Sequence, residues 1–597
     1  MLRQLNKLRP LFSRRDKTKY LGMLVLMGFG ALLEVAGISA VPAFIATLAA
    51  PEQVREFPYA DRVLDFLGID TATELVVWGA VGLIIVFAIR TAYLIGLSYL
   101  QYRMTEHHRV RIARHLFAAY MYAPQEFHLQ RNSAELLRNV DQETKNIITG
   151  VINPLLTLTL QGLMTLFIVA LLLATTPWSG LVAIAIVGGG GWLFIRLIRR
   201  RMTVYGKEAR SERKKSIQAV NQGLGGFQDA RVLGVEETLI EAFNQSNARA
   251  ARYLRFYSFI KGLSSPLLEF VAVAGLMIVV LTMILADMPL ETMVPILGLF
   301  GAAIVRLKTS VTQMTVQASQ LRYNMASVDA VIDDLEELKA YGPTIKTETN
   351  VAPLPLTSSI ALRNVTYTYP GAPAPALQDI SLTIRRGDSV GFVGATGSGK
   401  TTLINILLGL LRPQEGLITV DNQDIFDNLR GWQNNIGYIP QYIYLLDDSI
   451  RRNVAFGRQA DEIDDEALWK ALRAAQLEEF VRSLPDGLET NVGERGVRLS
   501  GGQRQRIGLA RALYHNPDVL IMDEATSALD NETESEVMRA LTALKGDRTI
   551  IIIAHRLSTV RDCDCLFFLK EGRLDAVGTF DELRSLHTDF RRMAEVA

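Results

Sequence analysis

The sequence predicts a membrane α-helical domain, six transmembrane helices with long cytoplasmic extensions, fused to an α/β domain built on a phosphate-binding loop. Three observations predict this. Six apolar runs fill the first half, each near the roughly 20 residues a helix needs to cross a bilayer. Their connections alternate between long and basic and short or acidic. From about Thr357 the pattern becomes that of a soluble α/β domain, with a glycine-rich turn between a strand and a helix. At 597 residues the chain exceeds one compact domain. Its net charge of +1 averages two unlike halves and points to no partner.

The spans lie near residues 20–49, 75–99, 147–174, 179–198, 263–286 and 291–314. The first is too long for a cleavable signal, and no small-residue cleavage site follows it. Arg3, Lys7, Arg9, Arg14, Arg15, Lys17 and Lys19 precede it; Arg103, Arg109, Arg111 and Arg114 follow the second span, and Arg196, Arg199, Arg200 and Arg201 close the fourth. The positive-inside rule therefore puts the N-terminus, both long loops and the C-terminal domain in the cytoplasm, with the chain multi-pass in a cell's inner membrane. The opposite connection, 51–74, is acidic. In it Phe57, Ala60, Leu64 and Leu67 recur at helical spacing, as in a short helix on the outer membrane surface or one packed on the protein's own loops. The domains expected are 1–340 in the membrane, a linker at 341–355 and a nucleotide-binding domain at 356–597.

The loops 101–146 and 199–262 read as helical extensions below the bilayer. Ala123 to Phe127 breaks the first, and Gly223 to Gly226 marks the tip of the second. Gly188 to Gly191 in the fourth span suits close backbone packing. Cys563 and Cys565 have no further ligands nearby, so packing explains them better than a metal site.

In the C-terminal half, Gly394-Ala395-Thr396-Gly397-Ser398-Gly399-Lys400-Thr401, with Thr402 after it, is a phosphate cradle. Its glycines let backbone N–H groups close on the β- and γ-phosphates, Lys400 adds a charge, and the Thr401 hydroxyl suits Mg²⁺. The flanking strand and helix supply the setting that anion binding requires. About a hundred residues later stands Leu499-Ser500-Gly501-Gly502-Gln503.

Together these two motifs resemble the ATP-binding-cassette family, and the rest of the domain is similar throughout. The resemblance implies roles for further residues: Tyr369 stacking on adenine, Gln441 sensing Mg²⁺ and water, Asp523 holding Mg²⁺ and Glu524 acting as general base. Ser527 to Asp530 matches the loop between paired domains, and His555 the histidine that reaches the γ-phosphate. Thr490 to Gly496 resembles a segment found in exporters. In this family Ser500, Gly501, Gly502 and Gln503 act on nucleotide held by a partner's Lys400. One complete motif set implies a homodimer of half-transporters with ATP and Mg²⁺ at the seam; a heterodimer stays open. The loop tips resemble those that dock on nucleotide domains. No nucleic-acid motif appears.

Ionisable residues within the spans point to cargo, because each is costly unless paired or wet. Arg90 and Arg306 both lie about 15 residues from the outer ends of their spans, roughly 22 Å down. Glu34 sits mid-span, and Lys308 and Glu269 lie near the same depth. Two readings stand: Arg90 and Arg306 bind an anionic head group, or they form structural Arg–Glu pairs or snorkel to the interface. The run Ile439 to Ile450, the outer helix and the two arginines resemble bacterial lipid-linked oligosaccharide flippases. That resemblance implies membrane lipids as partners and a lipid-linked substrate; Ser264-Ser265-Pro266-Leu267 departs from it by lacking an arginine after the proline. Export of another lipid, a peptide or a drug, and an ATP-gated regulatory role, are the alternatives. Glu524 argues against the last.

Overall fold

The computed structural model describes residues 7–49, 71–175, 211–285, 290–340, 351–523, 541–554 and 556–596, with 181, 189, 196, 204–205, 208–209 and 538–539 between them. The fourth span and the amphipathic stretch 57–67 lie outside these residues, apart from isolated positions in the span. The chain divides into two units, one of Met1–Met121 with Ser133–Ala340, the other of Tyr122–Asn132 with Tyr341–Ala597. The tip of the first loop thus groups with the C-terminal half, as expected of a tip that docks on a nucleotide domain. Leu354 is buried, and its N–H donates to Gly431 O at 3.0 Å, so packing begins before residue 356.

The first unit contains α1 (Arg14–Ala49), α2 (Ala72–Met121), α4 (Ser133–Thr175), α6 (Glu236–Leu285) and α7 (Leu290–Ala340). The tips are α3 (Gln125–Gln130), which belongs to the second unit, and α5 (Phe227–Leu233). At 1.5 Å per residue the 50 residues of α2 extend about 75 Å, more than twice the roughly 30 Å hydrocarbon layer. Four helices among the described residues are long and apolar enough to cross a membrane, and none of the most apolar window of α2 is buried in the protein. Val77, Ile84, Ile89 and Ile95 are exposed on it, the surface expected where lipid is the solvent.

Ile38, Ile168, Leu172, Val279, Met283, Phe300 and Ala303 form the apolar centre of this unit. Helix α4 contains two π-turns, Asn139–Glu143 and Ile148–Ile152. Close contact requires glycine at 150, where a Cβ would come within 2.3 Å of the Asn324 side chain on α7. The buried Asp334 carboxylate of α7 accepts from the Tyr120 hydroxyl and, at 2.8 Å, from Asn139 Nδ2. Three helices thus share one polar junction.

The second unit has two sheets. Strands β1 (Ser359–Tyr367), β2 (Leu377–Arg385), β4 (Glu415–Val420) and β5 (Gln423–Asp424) form an antiparallel sheet in the order β2-β1-β4-β5. The six-stranded sheet runs β10-β9-β3-β8-β7-β6, from β3 (Ser389–Val393), β6 (Ile436–Ile439), β7 (Val519–Asp523), β8 (Thr549–Ile553), β9 (Cys565–Lys570) and β10 (Arg573–Gly578). Only β10 pairs antiparallel. Strands β3, β7 and β8 are buried along their whole length, which explains their unbroken apolar runs. One core joins the sheets to α8 (Lys400–Leu407). A second core, with α9 (Asp465–Ala474) and α10 (Gly501–Tyr514), defines a helical subdomain.

Candidate functional site

The parallel register brings the strand ends that carry chemistry to one edge of the sheet. Phe392 pairs with Ile553, Ile553 with Asp523, and Met522 with Ile439. The glycine loop after β3, Asp523 at the end of β7 and Gln441 just beyond β6 therefore emerge together, where open α/β sheets bind ligands.

Glycine is required in the loop. A Cβ on Gly394 would lie 2.2 Å from Leu569 O and 2.6 Å from Ser398 Oγ; on Gly399, at φ +100°, it would lie 2.7 Å from Ala376 O. The Ser398 hydroxyl is buried with no hydrogen-bond partner. Lys400, also buried, donates from Nζ to Gly394 O at 2.7 Å and Ala395 O at 3.1 Å. A polyphosphate fits this cradle: its oxygens supply the acceptor Ser398 lacks and meet the unbonded N–H groups at the start of α8. Thr401 and Gln441 are exposed beside the buried Asp523, a hard oxygen set suited to Mg²⁺ when phosphate completes it. Burial, then the charge of Asp523, pushes the neighbouring Tyr438 phenol up to about 12.

Tyr369 lies against the same helix, its hydroxyl 3.2 Å from Thr402 Oγ1 and its ring edge-on to Tyr367. Gly397 faces open space, and Ala395 and Thr396 complete the turn. Ser500 caps α10. Its Oγ accepts from Gln503 N at 3.2 Å, while Gln503 Oε1 accepts from Ser500 N at 2.9 Å. The Gln503 side chain is thus engaged locally, and Gly501 and Gly502 form the first turn. This helix belongs to the second core, apart from the one behind the phosphate loop. Glu524, Ser527 to Asp530 and His555 lie outside the described residues.

At the tip of the first loop, which the resemblance expects to dock on a nucleotide domain, the structure supplies the contacts. Glu126 of α3 accepts from the Tyr367 hydroxyl at 3.2 Å, and Phe127 beside it is fully buried. Burial, then Glu126, pushes the Tyr367 phenol up, so it remains a donor. An apolar residue directly after a helix break was the available signal.

In the first unit, Arg90 and Arg306 come together on Glu34, whose side chain is 1% exposed. Arg90 donates twice, Nε to Oε2 at 2.8 Å and Nη2 to Oε1 at 2.6 Å. Arg306 Nε lies 2.6 Å from the same Oε1 but forms no hydrogen bond, since its N–H is not directed at that oxygen; the contact is ionic. Its Nη2 reaches Met164 Sδ at 2.8 Å. The equal depths of the three residues in their spans made this meeting possible. Lys308 instead pairs with Glu269.

Comparison with known proteins agrees with both halves. Residues 377–527 match the family model described as ABC transporter, and residues 38–307 the model described as ABC transporter transmembrane region. The ATP-dependent lipid A-core flippase of Cupriavidus pinatubonensis is 30% identical over 476 residues, 79% of this chain and 80% of its own. That of Ralstonia nicotianae is 31% identical over 473 residues, 78% of each. A solved structure of a bacterial Atm1-family ABC exporter with ATP bound superposes with a TM-score of 0.72, covering 97% of this chain and 98% of the other. At 22% identity that likeness shows the fold.

Proposed function

The chain belongs to the ATP-binding-cassette transporter family, with an exporter-type membrane domain and an ATPase domain in one polypeptide, and from that premise we propose that it flips a lipid with a phosphorylated head from the inner to the outer leaflet. A lipid whose head carries both sugar and phosphate covers both the lipid-linked oligosaccharide and the lipid A-core class. The two arginines do form the Arg–Glu pairs of the rival reading; what favours a phosphorylated head is the charge left over, two arginines on one carboxylate and so a net +1 within the membrane span. Arginine's planar fork suits phosphate oxygens.

A second feature agrees. A cavity of about 760 Å³ is lined by Tyr205, Tyr253, Phe256 and Phe259 with Arg249, Arg252 and Arg255. None of these arginines has an acidic partner among the described residues. Phe259 lies about 26 residues from the outer end of α6, roughly 39 Å along it and so at the level of the inner head groups. Aromatic rings and arginines there suit an anionic amphiphile waiting to enter.

The ATPase cycle follows from the site. Lys400, Ser398 and the loop N–H groups bind and orient the phosphates. Thr401, Gln441 and Asp523 would hold Mg²⁺, which when bound neutralises charge developing on the transferred phosphoryl group. Glu524 takes the proton from the attacking water, and His555 contacts the γ-phosphate. Because Ser500 lies on a separate subdomain, the scheme has Ser500, Gly501 and Gly502 close over nucleotide bound by a second copy, making a homodimer with two sites. Hydrolysis opens the pair, and α3 and α5 pass the motion to the spans. The head thus crosses through a wet, basic path instead of bare hydrocarbon, where desolvation is prohibitive, while its tail stays in lipid. Such a protein operates in the inner membrane of a bacterium with its nucleotide domain in the cytoplasm.

Purified protein in proteoliposomes tests this. ATPase stimulation and leaflet transfer are expected with phosphorylated glycolipids and not with hydrophobic drugs, and Arg90→Ala and Arg306→Ala should abolish both. Full transfer by these variants would overturn the reading, as would a response to drugs alone.

A further inference from the structure

The Glu34 cluster is unevenly satisfied. Arg90 is the better engaged of the two, with two hydrogen bonds to the carboxylate and its guanidinium 5.1 Å from the Phe87 ring. Its stem lies flat across α1, where a Cβ at Gly37 would stand 3.2 Å from Arg90 Cδ. Arg306 is not engaged in this way. Its Nε is buried without an aligned acceptor, and the hydrogen bond from Nη2 goes to a thioether, a weak acceptor. A buried ion cluster that serves only stability needs good geometry and satisfied donors on every member. This one has two cations, one anion, and one cation short of oxygen acceptors. Both arginine side chains keep 21% exposure, while Glu34 keeps 1%. A ligand therefore meets the arginine side chains before the carboxylate, although Arg306 Nε itself is buried.

Resting on the phosphorylated-head reading, the geometry points to Glu34 as a resident counter-ion that positions Arg90 and sets how much negative charge the site accepts. Between cycles, Glu34 keeps two arginines from standing unpaired in the span. On loading, a phosphate oxygen takes the place of the Met164 thioether at Arg306 Nη2, and Arg90 remains on the carboxylate. The assembly of two arginines, one glutamate and a phosphate monoanion is then neutral. Without the carboxylate, the bare pair would hold the same phosphate more tightly and release it more slowly. Glu34 is thus a specificity-determining residue that keeps the head bound loosely enough to leave.

Steady-state ATPase stimulation in nanodiscs tests this with three probes: diphosphoryl lipid A, its monophosphoryl form and phosphatidylcholine. Inorganic pyrophosphate alone serves as a fourth arm, separating head recognition from the need for a lipid. For Glu34→Gln the KM for diphosphoryl lipid should fall about tenfold, the change that about 1.4 kcal/mol produces. Its kcat should fall with it, and Glu34→Asp should restore both toward wild type. Preference for diphosphoryl over monophosphoryl lipid should increase in Glu34→Gln. If Glu34→Gln lowers only Tm and kcat, with KM unchanged or raised, Glu34 is a structural staple and the inference is overturned while the phosphorylated-lipid reading stands. If wild type responds to no anionic lipid, both are overturned. Stimulation by pyrophosphate without lipid would keep the counter-ion role and remove the lipid requirement.

Discussion

Phe127→Ala separates the docked tip of the first cytoplasmic loop from the nucleotide unit, with consequences that can be measured. The helix α3 has six residues, too few to be stable in water alone. What holds it is its side chains. Phe127 is fully buried, and truncating a buried phenylalanine costs about 3–5 kcal/mol. The other hold, the Tyr367 hydroxyl on Glu126 at 3.2 Å, is long and joins a buried tyrosine to a half-buried glutamate, so its share is about 1 kcal/mol. Phe127 therefore dominates by at least about 2 kcal/mol, and removing it should weaken docking by more than about a hundredfold. If the tip transmits motion, Phe127→Ala binds nucleotide like wild type but loses lipid-stimulated ATPase and lipid transfer by at least about tenfold. Tyr367→Phe should lose no more than about fivefold. Nucleotide binding, ATPase with and without lipid, and transfer in proteoliposomes would be measured on the same preparations. Lipid-stimulated ATPase and transfer within twofold of wild type in Phe127→Ala would refute the reasoning.

Three further outcomes follow from the nucleotide unit. Gly399→Ala should abolish nucleotide binding and destabilise the domain by about 2–6 kcal/mol, because it forces φ +100° on alanine and a Cβ against Ala376 O; calorimetry and nucleotide titration check this. Ser500→Ala removes the α10 cap, costing about 1 kcal/mol in denaturant unfolding, whereas Ser500→Thr should keep most of that stability. Asp421 accepts from the N–H groups of Thr357, Ser358 and Ser359 and from the Thr357 hydroxyl. Burial raises its carboxyl, but these bonds outweigh burial and hold it below its ordinary value. Its stabilisation is thus fully present above about pH 4 and is lost as pH falls through the folded value. In urea melts across pH 3–6, the difference between wild type and Asp421→Asn should shrink on the acid side.

Local rules made much of this protein legible. The phosphate loop needs glycines where a Cβ would fall within 3 Å of neighbouring backbone, and Gly394 and Gly399 stand there. Apolar run length marked the helices that cross the membrane, since lipid leaves a backbone no partner but itself. Tertiary structure decided what depends on meetings between distant residues. Glu34, Arg90 and Arg306 belong to three separate helices, and their shared depth did not say whether the arginines face cargo or each other's counter-charge. Packing put both on one carboxylate and left Arg306 incompletely satisfied. Likewise Phe127 follows a helix break in the membrane half, yet it is buried with the nucleotide unit, because a six-residue helix gains its stability from whatever surface it meets. Sequence periodicity reports the face a residue presents to its own element; the partner on the other side is fixed only when the chain is folded.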